Sequence, residues 1–413
     1  MKNFLINRFL FVLLIVSIPI DVLNGYFQVL AGFHAPISIV FRGCVLFYIL
    51  TKFVLHKQIN SLVYIALLGV YVYALSFSLW MILEDQFSLV DELMAGFKIV
   101  YFVLIILFFI TYRKYCDRER VLRLIILSAF VIALINIICF VTGWGIKSYN
   151  DERLLGTSGF FVDGNSMGIQ MLLSLCVSVY YAFRCNKLKW YLVAMVITLG
   201  CMALGSRSGL IGPVGIWIVL LVYNFLNMQT KWMHRILTLI ILGGITYGVT
   251  TYFEMVMSFD VYAVERYSSE ALISPRKLLQ ETGESVIHGY KGHELLIGKG
   301  CMESRKLVAE KMQMAEPKNI ESDFHDQILA YGWGLGGLFC LLHVAICFSF
   351  LHAWIKRKNS LNMIVSFLGV IWLALSYMGG HGFFNVAIAP LLGSGFALMV
   401  KRGEDINFMK TNH

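Results

Sequence analysis

The stretch that decides the fold is LMAGFKIVYFVLIILFFITY, residues 93–112. Its only charged residue is Lys98, near its beginning. A helix needs about 20 mostly apolar residues to cross the hydrocarbon of a bilayer. We therefore predict that residues 93–112 form a transmembrane helix.

The rest of the chain has the same character. Of its 413 residues, 58% are apolar and only 14% are charged. Soluble domains carry about a quarter charged residues and a little under half apolar ones, so this chain has more apolar surface than one water-soluble core could bury. The composition excludes a disordered chain, a collagen-like fibre, a small disulfide scaffold and a cytosolic enzyme. It predicts an all-α polytopic membrane protein.

Apolar runs recur along the chain with short charged breaks between them, and they predict about 12 transmembrane helices. The predicted spans are 4–20, 36–55, 62–83, 93–112, 121–141, 160–183, 190–204, 209–225, 236–253, 327–352, 361–378 and 383–400. The first span follows a short basic region without a cleavage site, which predicts an uncleaved signal anchor.

The basic residues predict the orientation. With the N-terminus inside, most of the 34 Lys and Arg residues fall in short inner connections, as in the cluster from Arg113 to Arg123. Inner loops of membrane proteins are enriched in Lys and Arg. The net charge of +9 therefore needs no nucleic-acid partner, and both termini are expected in the cytoplasm.

One predicted connection is long, and it divides the chain into three parts. Residues 1–253 hold transmembrane helices 1–9, residues 254–323 form a periplasmic loop, and residues 324–413 hold helices 10–12 and a cytoplasmic tail. Ser274 and Pro275 are typical of a helix start, and Glu303 begins a second stretch with apolar residues at helical intervals. We expect amphipathic helices over the membrane surface; the alternative is a solvated loop without a role.

Several ionisable residues lie near the outer ends of the predicted spans, where they are costly and therefore informative. They are Arg42, Lys98, Arg153, Asp163, Arg207 and His381. For each of them the alternative is snorkelling to lipid headgroups. Arg207 differs because the turn Gly205-Ser206-Arg207-Ser208-Gly209 holds it at the boundary, where a guanidinium offers a bidentate grip on phosphate.

The tenth predicted span opens with Ser322-Asp323-Phe324-His325-Asp326-Gln327. Helix capping explains Ser322 or Asp323. It does not explain His325, an imidazole between two carboxylates that could orient it and raise its basicity. We consider His325 a candidate for proton transfer, and we consider the glycines that follow it a close-packing face.

The sequence contains no spacing typical of a metal or nucleotide site. His288 and His293 form no helical pair of the zinc-binding kind, and no glycine-rich phosphate loop appears. We therefore predict no metal and no cofactor.

Four features, taken in order along the chain, carry a resemblance to a known family. They are Arg153-Leu154-Leu155-Gly156 with Asp163-Gly164-Asn165, then Ser206-Arg207, then Arg266, Arg276 and Gly298-Lys299-Gly300, and last His325-Asp326 with Gly332 and Gly336. With this set the chain resembles the superfamily of O-antigen polymerases and O-antigen ligases, bacterial membrane glycosyltransferases of the Wzy and WaaL type.

The chain departs from the family pattern at two positions. Gly164 stands where such families usually have Pro, and Asp326 stands where they usually have Asn. The first change affects only the turn. The second places a carboxylate beside His325, which leaves open whether His325 or Asp326 handles the proton.

The resemblance implies a metal-independent, inverting transfer of a glycan from undecaprenyl diphosphate on the periplasmic face of the bacterial inner membrane. It implies that Arg207 and Arg276, with Arg153 or Arg266, hold the diphosphate. It further implies that His325 is the base, with Asp326 or Asp323 orienting or replacing it.

The family contains two activities, which differ in the acceptor of the glycan. A polymerase transfers to a lipid-linked repeat unit and a ligase transfers to the lipid A core; we favour the polymerase because such enzymes vary widely in sequence. The expected partners are the lipid-linked glycan, membrane lipid and a chain-length regulator protein. An alternative from another class is a transporter such as a glycan flippase.

Overall fold

The computed structural model describes most of the chain. The described residues are 2–29, 32, 36–55, 69–77, 80, 89–148, 156–226, 236, 239–240, 242–244, 246–248, 250–251, 269–314, 316–317 and 319–400. Arg153 and Arg266 lie outside these residues. The backbones of Arg207 and Arg276 are helical, and their side chains also lie outside what the structure describes.

Within this part of the chain the protein is all-helical, apart from an isolated β-bridge between Lys147 and Thr157. The helices are α1 (Lys2–Phe11), α2 (Ser17–Val29), α3 (Ile37–Leu55), α4 (Leu89–Tyr112), α5 (Arg118–Thr142), α6 (Gly164–Cys185), α7 (Leu188–Ala203), α8 (Arg207–Leu226), α9 (Ser269–Ile287), α10 (Glu294–Ile297), α11 (Cys301–Lys311), α12 (Asp323–Tyr331), α13 (Gly337–Lys356), α14 (Ser360–Gly379) and α15 (Ala389–Leu398). Short π-helical turns, Val12–Val16 and Gly332–Gly336, join α1 to α2 and α12 to α13.

Seven of the described helical segments are long and apolar enough to cross a membrane. They are Ile6–Gln28, Ile37–Leu55, Leu89–Tyr115, Arg118–Thr142, Gly164–Cys185, Asp323–Lys356 and Ser360–Gly379. This confirms the prediction of an all-α, multi-pass membrane protein. Three further predicted spans correspond to the shorter apolar helices Leu188–Ala203, Ser208–Tyr223 and Ala389–Leu398. The remaining two, 62–83 and 236–253, are described only in part.

Two predicted boundaries were wrong because polar residues find partners in the folded chain. The first span was predicted to end before Asp21, yet the helix continues to Val29, since Asp21 forms an ion pair with Arg42. The last span was predicted to begin at Phe383, yet α15 begins at Ala389. Residues 381–388 form a turn whose backbone amides bond to side chains instead.

Side-chain caps set where several helices begin. Asp117 accepts hydrogen bonds from two backbone amides at the start of α5, and Asp163 accepts one from Ser166 N, 3.1 Å away, at the start of α6. Such caps satisfy amides that have no partner within the helix. Helix α6 is the central helix, with 94% of its membrane-length window buried. Its capped end therefore holds a fixed position among the surrounding helices.

The loop helices α9, α10 and α11 pack on the beginning of α12 and form a small core with it. This core contains Leu279, Val286, Ile287, Tyr290, Val308, Ile320 and Leu329. Both predicted loop helices are present, but the first begins at Ser269 and not after Ser274. The residues before Ser274 favour helix, and the helix accommodates Pro275 although a proline there removes one backbone hydrogen bond and crowds the preceding turn.

Glycines bring the backbone of the loop into direct contact with α12. A Cβ atom on Gly332 would lie 2.7 Å from the Glu294 carbonyl oxygen, and one on Gly298 would lie 2.7 Å from Gly332 N. Both glycines have positive φ, 68° and 67°, which side chains rarely adopt. Gly332 and Gly334 therefore pack closely, as expected from the sequence, and the segment packed on them belongs to the loop. Gly337 was expected on the same face, but it has open space around it.

We expect Gly298→Ala to destabilise the protein strongly. A left-handed backbone costs a non-glycine residue about 1–2 kcal/mol, and the new methyl group would also overlap the Ala330 carbonyl. Thermal unfolding in detergent should show a lower midpoint than wild type. The matched control is Gly337→Ala, a helical position with open space around it, where alanine should be neutral or slightly stabilising. Equal midpoints for the two variants would contradict the described contact.

Candidate functional site

A cavity of about 670 Å³ lies at the end of the bundle where α3, α4, α6 and α12 begin. Its wall carries the aspartates Asp21, Asp91, Asp163, Asp323 and Asp326, together with Arg42, Lys98, Arg305 and His381. Cavities of this size accommodate small-molecule ligands. The charged residues of several separate helices are thus gathered around one space.

The sequence predicted that the charges near the outer ends of the spans converge. Four of the six, Arg42, Lys98, Asp163 and His381, line this cavity. Of the other two, Arg153 lies outside the described residues, as does the side chain of Arg207.

Arg42 is held within the bundle. Its guanidinium forms a 2.9 Å ion pair with Asp21, and its side chain is only 12% exposed. Ser38 hydrogen-bonds the same aspartate. This arrangement contradicts the snorkelling alternative for Arg42.

Lys98 and Arg305 also line the cavity, but neither forms an ion pair within 4 Å in the part of the chain that the structure describes. Arg305 interacts with Asp326 and Glu92 only at longer range. Two cations with no bound carboxylate are available to an anionic ligand.

Helix α11 carries Arg305, and Glu92 of α4 fixes its position. The Glu92 side chain is 1% exposed. Its Oε1 accepts hydrogen bonds from Cys301 N and from Met302 N, the latter at 3.1 Å. A carboxylate at a helix N-terminus satisfies free amides and interacts favourably with the helix dipole. Trp80 adds a second link from the membrane helices, because its Nε1 donates to Gly298 O at 3.1 Å.

Asp323 and Asp326 lie on the cavity face of α12 and have different surroundings. Asp323 is 6% exposed, and its Oδ2 accepts hydrogen bonds from Gly382 N at 2.6 Å and Phe383 N at 2.9 Å. Asp326 Oδ1 accepts one hydrogen bond, from Ile320 N at 2.9 Å. Asp323 therefore holds the 381–388 turn, whereas Asp326 is the carboxylate with more capacity left for a ligand.

His325 lies in a separate cavity of about 230 Å³, beside Glu284 and Trp333. Its Nδ1 is 2.9 Å from Ser322 Oγ, and its Nε2 is 3.5 Å from Glu284 Oε1. Residues at i, i+3 and i+4 share a helix face, so Asp323 and Asp326 share one face and His325 does not. The structure thus does not bring His325 together with the two aspartates.

Sequence reasoning missed Glu92 and Arg305. Glu92 stands one residue before the predicted fourth span, and acidic residues at a helix start are usually ascribed to its own dipole. Arg305 belongs to the predicted amphipathic loop helix, where a single arginine on a surface helix gives no distinct signal. Among the described residues, no group of three His, Cys, Asp or Glu side chains is arranged to hold a metal.

Cys301 gives a chemical probe of this cavity, because it lines the wall at the start of α11. The pKa of the Cys301 thiol is raised to about 11, chiefly by burial; Arg305 opposes the rise and the nearby Glu92 carboxylate contributes to it. Only the thiolate is nucleophilic.

With the other cysteines replaced, alkylation of Cys301 by iodoacetamide should become about tenfold faster per pH unit from pH 8 to about 11. A free cysteine peptide, with a pKa of about 8.5, is the control and should level off earlier. A plateau for Cys301 near pH 9 would show that the thiol is not buried.

The fold and the cavity define a multi-pass membrane protein with a charged, polar site at one end of its helices. In comparisons with known proteins, no family model, no curated protein and no solved structure matches this chain. The arrangement can bind an anionic group through Lys98 and Arg305, and it offers carboxylates and one imidazole as proton acceptors.

Proposed function

We propose that the protein is a surface-polysaccharide polymerase, for O-antigen or capsule. It transfers a glycan from undecaprenyl diphosphate to a lipid-linked repeat unit. The observation that carries this proposal is the position of Lys98 and Arg305, without close ion pairs to described residues, in a cavity at the end of the membrane helices. A lipid diphosphate requires cations at that depth.

The main requirement of the proposed reaction is stabilisation of the negative charge on the leaving diphosphate. When the bond between the sugar carbon and the diphosphate breaks, negative charge grows on the leaving phosphate oxygen. Arg305 is half-buried and Lys98 is exposed at the cavity. Preorganised cations that face the leaving oxygen stabilise such charge. Lys98 and Arg305 would supply it, and the acceptor hydroxyl would lose its proton to a group on the same wall.

The residues implied by the family resemblance stay part of this proposal. Arg207 and Arg276, with Arg153 or Arg266, remain assigned to the diphosphate. Of the three acid–base candidates, Asp326 has the best access to the large cavity. Asp323 hydrogen-bonds the amides of the 381–388 turn, and His325 faces the smaller cavity.

We also propose that the protein lies in the bacterial inner membrane with both termini in the cytoplasm and the cavity on the periplasmic side. Reporters fused after Lys189 and after Lys358 should report cytoplasm, whereas a reporter inserted within residues 281–318 should report periplasm. A cytoplasmic signal from that insertion would contradict the whole mechanism, because the cavity would open on the wrong side for the substrate.

One observation favours a second candidate function, transport of a lipid-linked glycan. The Asp21–Arg42 ion pair lies inside two candidate spans, and paired charges within the membrane are typical of transporters. Lys98 also lies within a candidate span, whereas Asp91, Asp163, Asp323 and Asp326 lie at the beginnings of helices. The position of these four carboxylates favours the transferase. A ligase differs from the polymerase only in its acceptor.

Reconstitution of the full chain in lipid vesicles with a synthetic undecaprenyl-diphosphate repeat unit tests the three functions. A ladder of longer lipid-linked glycans from this substrate alone is the expected result. Transfer that requires added lipid A core would identify a ligase, and movement of the substrate across the bilayer without new glycosidic bonds would identify a transporter. A chain-length regulator protein should narrow the distribution of the ladder.

A further inference from the structure

We infer that His381, oriented by Asp163, is the base that deprotonates the acceptor hydroxyl. The inference rests on the proposed transferase function. Asp163 belongs to a motif that carries the family resemblance, but the resemblance gives it no role, and His381 is not part of those motifs. It replaces His325 by the imidazole that lines the large cavity.

The ring of His381 presents its two nitrogens as a general base requires. Nδ1 is 3.9 Å from Asp163 Oδ1. No described residue hydrogen-bonds Nε2, and the side chain is 27% exposed. The separation of Nδ1 from the carboxylate is longer than a hydrogen bond. A rotation of the imidazole that closed it would favour the tautomer with the proton on Nδ1 and leave the Nε2 lone pair free to accept a proton. In His325, by contrast, both ring nitrogens lie beside a neighbouring side chain.

Asp163 caps the start of α6 and His381 lies on the 381–388 turn, and Ser166 contacts both residues. Ser166 Oγ hydrogen-bonds the Asp163 carboxylate and lies 3.2 Å from the His381 carbonyl oxygen. Asn385, on the same turn as His381, donates from Nδ2 to Ser166 Oγ. The carboxylate and the imidazole are therefore positioned by a shared set of hydrogen bonds.

The turn that carries His381 is anchored from its other side. Asp323 binds the amides of Gly382 and Phe383, and Trp372 Nε1 donates to Gly382 O at 3.1 Å. Asp323 is thus a positioning residue for His381.

The backbone at His381 provides an independent observation. Its φ is 67°, in the left-handed region, and it stands between Gly380 and Gly382. Non-glycine residues in that region are uncommon, and such positions cluster at functional sites. A glycine would fit the backbone better than the histidine does, so the imidazole has a use that outweighs its conformational cost.

The proposed transfer forms one bond to the donor sugar carbon and breaks another. The acceptor hydroxyl gives its proton to Nε2 of His381 while its oxygen forms a bond to the donor sugar carbon. The bond from that carbon to the diphosphate breaks, and its electron pair stays on the phosphate oxygen of undecaprenyl diphosphate. The products are the lengthened glycan, the free lipid diphosphate and an imidazolium, which later loses its proton to water.

The first test is His381→Gly, assayed in vesicles with the synthetic lipid-linked repeat unit. The turnover number should fall by about a hundredfold or more, the usual contribution of a general base. The unfolding midpoint should equal or exceed that of wild type, since glycine suits the backbone. Free imidazole added at millimolar concentration should restore part of the rate, because the cavity has room for it. The control is His352→Gln, in α13 away from the cavity, which should keep the wild-type rate.

The second test separates positioning from stability. Asp163→Asn keeps the helix cap, because asparagine caps as well as aspartate, but it removes the carboxylate that selects the tautomer. The turnover number should fall at least tenfold while the KM for the lipid-linked donor stays within twofold of wild type. A rise in KM alone would overturn the positioning role.

The outcomes distinguish this inference from the function on which it rests. If the wild-type protein forms no glycosidic bond, the proposed transferase function fails. If the wild type is active and His381→Gly is equally active, the inference alone is overturned, and a large loss in Asp326→Asn or His325→Gln would name the base instead. A loss in His381→Gly that imidazole does not restore also contradicts the base role.

Discussion

Arg305→Ala is expected to lower the rate of glycan transfer by about ten- to a hundredfold. A hydrogen bond to a charged group contributes about 1.5–3 kcal/mol, and the leaving diphosphate would lose one of two cations that no described carboxylate holds closely. The measurement is the initial rate on the synthetic lipid-linked repeat unit at saturating donor.

Two variants of neighbouring residues sharpen this prediction. Arg305→Lys should recover only part of the rate, because an ammonium lacks the planar fork that binds two phosphate oxygens. Lys306→Ala, on the same helix beside Glu303, should leave the rate unchanged. A wild-type rate for both Arg305 variants would remove Arg305 from the site and leave the diphosphate to the other assigned arginines.

Asp323→Ala is expected to cost about 2–6 kcal/mol of unfolding free energy. The carboxylate is nearly inaccessible to water and accepts hydrogen bonds from two buried amides. Each buried donor left without a partner costs about 1–3 kcal/mol. The whole stability of a domain is commonly about 5–15 kcal/mol, so the yield of folded protein should fall sharply.

Asp323→Asn is the matched comparison, because an amide oxygen still accepts hydrogen bonds. Its loss of unfolding free energy should be clearly smaller than that of the alanine variant, measured as the midpoint in a denaturant titration in detergent. Equal stability of Asp323→Ala and wild type would show that the turn after α14 does not depend on this carboxylate.

The membrane helices were predictable because the apolar segments are long and their signal is local. Hydropathy gave the cores of α4, α5 and α14 to within a few residues. It failed at α15, because no local signal shows that the amides of Gly382 and Phe383 bond to Asp323. Partners that are far apart in sequence are not visible to a window of about 20 residues.

The candidate site was predicted only in part, for a similar reason. The sequence placed Arg42, Lys98, Asp163 and His381 at one end of the helices, and the structure joins them. The hydrogen bond from Cys301 to Glu92 links residues 209 positions apart. No sequence pattern therefore indicated that Glu92 holds the start of α11. The sequence did allow the separation of His325 from Asp326 to be predicted. Adjacent residues of a helix point about 100° apart, and the prediction that the two act together did not take this into account.

The contact between Gly298 and Gly332 has a consequence for how such chains diverge in evolution. It joins backbone to backbone, so it constrains only the absence of side chains at a few positions and the distance between them along the chain. Nearly every neighbouring residue can change while the loop stays seated on α12. We expect related chains to share this pair of glycines and their separation more faithfully than overall sequence identity, which makes glycine spacing a sensitive marker of common descent for this architecture.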